Sequence, residues 1–142
     1  MLIAYNKYMK HTFLFLTGGF AYGTIELIFR GYSHISMFIA GGLCFVLIGS
    51  LNEGRLRNMP LIGQMAISSV IITSIEFVVG CIVNVWFKLE VWDYSGLPLN
   101  IMGQVCLLFT VIWFFLSIFA IMLDDYLRYL LMGEEKHHYK FF

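Results

Sequence analysis

Charge is what this chain has least of. Asp, Glu, Lys and Arg make up 13% of its 142 residues, and nine cations balance nine acids. A soluble domain carries about 25% charged residues. Without net charge there is no bulk field to draw in nucleic acid or an acidic membrane surface, and no nucleic-acid partner is expected. Only two prolines occur, Pro60 and Pro98, each just ahead of an apolar run. The three cysteines, Cys44, Cys81 and Cys106, form no CxxC and no Cys/His cluster. They read as small hydrophobes rather than as a zinc site or a redox pair. No GxxxxGK[ST] is present, so the chain does not bind ATP through a P-loop of its own. GxSxG, HExxH and an oriented Cys–His pair are missing too, and no enzymatic activity or cofactor is expected. An intramembrane enzyme using Glu26, His34 and Asp93 is the least favoured reading. No metal site is expected, and His137–His138 reads as part of a solvated tail.

What fills the chain instead is apolar: 60% of residues are hydrophobic, in long runs. Four runs, about 12–29, 34–51, 61–87 and 101–123, approach or exceed the roughly 17–25 residues of a spanning helix. The expectation is one all-α transmembrane domain over 1–142, with four spans arranged as two helical hairpins. The N-terminal run lacks a small-residue cleavage site followed by a soluble domain, so it counts as the first span rather than a signal peptide. Lys7, Lys10, Arg55, Arg57, Arg128, Lys136 and Lys140 fall on one side of this arrangement, against Arg30 and Lys88 on the other. The positive-inside rule then puts both termini in the cytoplasm of a multi-pass protein, in the cell membrane if the source is prokaryotic.

The connections differ. "RGYSH" reads as a tight external hairpin with Gly31 at the bend and Ser33 capping span two. "NEGRLRNMP" is a short cytoplasmic loop whose Pro60 opens span three. "KLEVWDYSGLPLN" is a longer external connection whose Trp92 and Tyr94, with Trp86 before it, suit the membrane interface. After span four, residues 124–142 read as an amphipathic cytoplasmic tail. Tyr126, Leu127, Leu130 and Leu131 would lie on the membrane, while Asp124, Asp125 and Arg128 would meet water. "TIELIF" and "SIEFVV" echo each other in spans one and three, as "LCFVL" and "VCLLF" do in spans two and four. Such a repeat of one hairpin has its pseudo-twofold axis along the membrane normal.

Polar residues inside the runs keep to one face. Gly19, Tyr22, Gly23, Glu26 and Arg30 form one helical stripe, with Gly19–Gly23 as a GxxxG and Glu26–Arg30 as an i, i+4 pair. Gly42, Gly49 and Glu53 align in span two. Thr73, Glu76 and Gly80 align in span three, with Asn84 further out, and Gly103, Thr110 and Ser117 recur at heptad spacing in span four, near Trp113. Gly19, Gly23, Gly42, Gly49, Gly80 and Gly103 are candidate helix-packing positions. A carboxylate at mid-membrane costs about 2.5–3.5 kcal/mol, so Glu76 is expected to be protonated or paired. The candidate polar site is Glu26, Arg30, Glu76 and Asn84, with His34, Asp93, Tyr94 and Asn100 at an external mouth. A carboxyl that exchanges a proton as a cavity hydrates is the basic part of a proton-coupled transporter. A structural hydrogen bond between helices is the competing use, worth about 0.6 kcal/mol.

Taken together, "GGFAYGTIELIFRGYSHISMFIAGGLCFVLIGSLNE", "SIEFVVGCIVN" and "VWDYSGLPLNIMGQVCLLFTVIWFFLS" resemble the family described as putative ABC-transporter type IV, or CmpB-like. That family also has relatives among vertebrate four-span membrane proteins. The resemblance covers about residues 13–128 and runs through Glu26, Arg30, Gly31, His34, Gly41, Gly42, Glu53, Glu76, Gly80, Asn84, Trp92, Asp93, Tyr94, Pro98, Asn100 and Gly103. It implies a permease-like subunit served by a separate ATPase. Four spans are few for a substrate path, and a homodimer in the bilayer would supply eight. A non-transporting accessory or scaffold protein that recruits a partner is the alternative.

Overall fold

The computed structural model describes residues 6–51, 53 and 57–142, so Arg55, counted above toward orientation, lies outside the described residues. Helix α1, Lys7–Arg30, starts where Asn6 Oδ1 accepts the Met9 N–H at 2.9 Å. It stops at Gly31, whose φ of +77° is the left-handed conformation that favours glycine. Helix α2, Ile35–Ser50, follows after four residues. Its cap is His34 rather than the expected Ser33: His34 Nδ1 accepts the Ser36 N–H at 3.2 Å.

Helix α3, Leu61–Gly80, continues into a wider π-helical turn, Cys81–Trp86, and the two together match the expected third run. No side chain caps its start after Pro60. The carbonyls of Lys140 and Phe141 take that place, accepting from the N–H groups of Leu61 and Ile62. The C-terminal segment thus folds back under the bundle.

The fourth run departs from expectation at both ends. Asn100–Ile101 (β1) and Val105–Cys106 (β2) pair antiparallel, Asn100 opposite Cys106 and Ile101 opposite Val105. An all-α reading had no place for this hairpin, and it delays helix α4 to Leu107–Met132. At its far end α4 runs well past residue 123. Asp124 and Arg128, expected to meet water, are 0% and 4% exposed. They lie one turn apart on the face α4 turns toward the bundle, so there is no separate amphipathic segment.

Packing explains which glycines matter. A Cβ on Gly18 would lie 2.2 Å from that of Phe45, and one on Gly41 would lie 2.5 Å from that of Tyr22. This is the closest approach of α1 and α2, tightened by Gly19 against Phe38 and Gly42 against Phe15. Gly23 faces only the Ser33 hydroxyl at 4.0 Å and packs no helix, so the expected Gly19–Gly23 motif is replaced by Gly18 meeting Gly41. Gly103 is likewise not a helix contact. It sits in the β1–β2 turn at φ +70° beside Asp93. Gly80 makes room for Trp92 and Gln104 of the connection, and Gly49 for the Asp124 carboxyl of α4.

Helices α3 and α4 are joined by hydroxyls. Ser69 Oγ donates to the Thr110 carbonyl at 2.6 Å, and the Thr73 and Thr110 hydroxyls lie 3.0 Å apart. Polar side chains share the interior with apolar ones such as Leu14, Ile48 and Ile121, while many large apolar side chains face outward. Gln64, Ser68, Ser117 and Asp124 are fully buried, whereas Phe20, Ile28, Phe29, Val70, Phe115 and Phe119 are exposed. Lipid tails are as apolar as these side chains and solvate them, so helices join there through small residues and hydrogen bonds. Three helical stretches, Lys7–Arg30, Leu61–Trp86 and Leu107–Met132, are long and apolar enough to cross a membrane. Helix α2 has 16 residues, a length of about 24 Å.

Candidate functional site

Glu76 sits on the inward face of α3, 6% exposed. Its Oε1 accepts the Tyr94 hydroxyl at 2.9 Å and its Oε2 the Trp113 indole N–H at 3.1 Å. Each donor is held by rings: Tyr94 stacks on Phe109 with centroids 4.7 Å apart, and Tyr22 of α1 leans on Trp113 at 5.8 Å. The carboxyl is therefore fixed by two neutral donors from different parts of the chain. Among the described residues, no cation comes within ion-pair reach of it.

Arg30 answers a different acid. Its Nη1 donates to Glu26 Oε2 at 3.0 Å, and its Nη2 to the Tyr32 hydroxyl at 2.8 Å and the Val91 carbonyl at 2.7 Å. The guanidinium ties the end of α1 to the second connection.

Two cavities meet around these groups. An inner one of about 310 Å³ is almost wholly apolar, with Glu76 on its wall and Gly18, Gly41, Cys44, Phe45 and Ile72 around it. An outer one of about 390 Å³ holds Glu26, Arg30, Tyr32, Asp93 and Tyr94. Tyr22, Trp92 and Trp113 line both and form the partition between them.

Of the expected mouth residues, Asp93 and Tyr94 line the outer cavity, and Tyr94 also reaches down to Glu76. His34 and Asn100 do not line it. His34 caps α2, while Asn100 shapes the hairpin turn, donating to the Leu97 carbonyl at 2.7 Å and accepting the Gly103 N–H at 3.0 Å. Asn84 is also separate from Glu76. Its Oδ1 accepts the Val91 N–H at 2.7 Å and its Nδ2 donates to Gln104 Oε1 at 2.8 Å, while Trp92 Nε1 donates to the Gln104 carbonyl at 3.0 Å. These bonds hold the connection in a shape that puts Lys88, Glu90, Leu99 and Met102 at positive φ. Such conformations are uncommon for residues other than glycine. The exposed Asp93 accepts the Ser95 N–H at 2.8 Å, and that bond holds its carboxyl below the ordinary Asp range.

Sequence reasoning missed Trp92 and Trp113 as walls and Gln104 as a brace. It also missed a charged network at the other end of the bundle. Arg128 Nε donates to Asp124 Oδ2 at 2.9 Å, and its Nη1 bonds Glu53 beyond α2. Glu134 is 3.7 Å from the same nitrogen and 3.0 Å from Lys10 of α1. Asp124 follows Thr110 and Ser117 at the same heptad spacing, the signal that could have placed it inside. A cavity of about 440 Å³ opens beside this network, lined by Arg57, Asp125, Glu135 and His137 among others.

Three helices long and apolar enough to cross a membrane, packed through small residues and buried polar side chains, define a helical membrane-protein bundle. The chain belongs to the family described as "Putative ABC-transporter type IV", whose model matches residues 1–137. No curated protein and no solved structure matches it.

Proposed function

We propose that this protein is a small multi-pass membrane transporter or permease-like subunit whose coupling group is Glu76. All four helices cross the bilayer as two hairpins with both termini cytoplasmic, α2 reaching the interfaces with the help of its flanking turns. The observation that carries the reading is the partition: two cavities share a wall of Tyr22, Trp92 and Trp113, and Glu76 bonds one of those wall residues directly. Hydrogen bonds to a charged acceptor are roughly twice as strong as neutral ones. A proton or cation arriving at Glu76 weakens its hold on Trp113 and Tyr94 together, and the wall between the cavities loosens. A homodimer would give the path eight helices. Any drive from ATP comes from a separate ATPase.

Purified protein in liposomes loaded with a pH-sensitive dye tests this. An imposed potential is expected to drive proton entry that Glu76→Gln abolishes; entry unchanged by that substitution removes Glu76 as the coupling group.

The cavity at the Arg128 end favours a second reading, an accessory protein that recruits a partner there. A stoichiometric partner captured in mild detergent, together with no flux, would establish it.

A further inference from the structure

We infer that the inner cavity binds a lipophilic organic monocation, with its charged head at Glu76 beside the aromatic side chains Tyr22, Trp92 and Trp113 and its apolar body against Met37 and Phe45. This deepens the transport reading above and rests on its placement of Glu76 inside the bilayer. Three observations point the same way. The cavity, about 310 Å³, is at the lower end of the roughly 300–1,000 Å³ that ligand pockets occupy, which suits a small molecule. Its wall carries one buried carboxyl, held by two neutral donors and in no ion pair among the described residues; Arg30, the cation whose charge reaches it, is bonded to Glu26. Three aromatic side chains, Tyr22, Trp92 and Trp113, line the same cavity, and aromatic rings attract organic cations, most strongly when desolvated. An anion would be repelled by Glu76 in its ionised form, and a purely apolar chain would make no use of the carboxyl.

The route in is lateral. Helix α1 packs along α2 but touches α4 only sparsely, chiefly where Tyr22 meets Trp113. The cavity wall at this seam includes the exposed Ile25 on α1 and Phe119 on α4. A molecule dissolved in the bilayer could enter there, which selects for an apolar body as well as a charge.

The test is binding of radiolabelled benzyltrimethylammonium to the purified full-length protein, displaced by the unlabelled cation or by its uncharged isostere neopentylbenzene. Saturable binding displaced by the cation and not by the isostere is expected. Glu76→Gln should weaken it at least about thirtyfold, as loss of a buried charge partner does. Ala21→Leu, which narrows the cavity without touching Glu76, should weaken it too and covers the case in which Glu76→Gln folds poorly. No saturable binding, displacement by the isostere as good as by the cation, or wild-type affinity in both variants would overturn the inference. The proton-flux assay is independent. Cation binding with a flux that ignores Glu76 would retain this site and reject the coupling role. Glu76-dependent flux without cation binding would do the reverse.

Discussion

Glu76 and Asp124 are both carboxyls buried in apolar helices, and the chain answers them in opposite ways. Asp124 is met by a guanidinium one turn along its own helix, and Arg128 in turn draws in Glu53 and Glu134, linking the α2 end, α4 and the C-terminal segment. Glu76 is met by a phenol and an indole, with a cavity on one side. An ion-paired carboxyl ties elements together, even though Asp124 Oδ1 itself has no hydrogen-bond partner among the described residues. A carboxyl held only by neutral donors is stable enough to fold and still responsive to an arriving charge. On the proposed reading, the Arg128 end fastens the bundle and the Glu76 region does its work.

That contrast can be broken in order of expected effect. Arg128→Met leaves Asp124 buried without its cation and should destabilise the protein by about 3–5 kcal/mol, read as a lowered melting temperature in detergent. A wild-type melting temperature would refute the fastening role. Gly49→Ala should come next. Its Cβ would lie 2.2 Å from the Asp124 carboxyl, an overpacking worth about 1–3 kcal/mol by the same measurement. Glu76→Gln keeps the side chain's shape, loses the charge and turns one acceptor oxygen into a donor that the Tyr94 hydroxyl can accept, so its stability loss should be the smallest of the three, about 1 kcal/mol. A larger loss would make Glu76 a second fastener.

The smallest effect concerns the second connection. Asp93 is held below its ordinary range by the Ser95 N–H, so the charged form is the one the fold favours. Its contribution is present above the unfolded Asp value and is lost as pH falls through the lower folded value. The Ser95 amide resonance should titrate with a midpoint under the ~3.9 of an unperturbed Asp; a midpoint at or above that value would show the turn bond to be inconsequential.

How much of this could be read from the sequence follows the physics of each feature. The helices were legible because long apolar runs with few charges admit little else, and the Glu26–Arg30 pair because i, i+4 spacing dictates it. Thr110 and Ser117 were rightly placed on an inward stripe, but the stripe was stopped short of Asp124 because charged residues after an apolar run read as solvated. The β1–β2 hairpin was not legible. It depends on Leu99 and Met102 at positive φ and on bonds from Asn84 and Gln104, none of which leaves a local pattern. Tyr94 was read as a mouth residue, and its reach down to Glu76 depends on how the whole connection folds back. Gly18 against Gly41 was missed because the GxxxG at Gly19–Gly23 looked the more regular signal.

The most direct test of the central contrast is proton flux per folded molecule, measured side by side on Glu76→Gln and Asp124→Asn in liposomes of the same preparation. The account predicts that Glu76→Gln inserts and melts like the wild type yet conducts no coupled protons. It predicts that Asp124→Asn lowers the folded yield while each folded molecule keeps its flux. Wild-type flux from Glu76→Gln, or flux lost from well-folded Asp124→Asn, would contradict it.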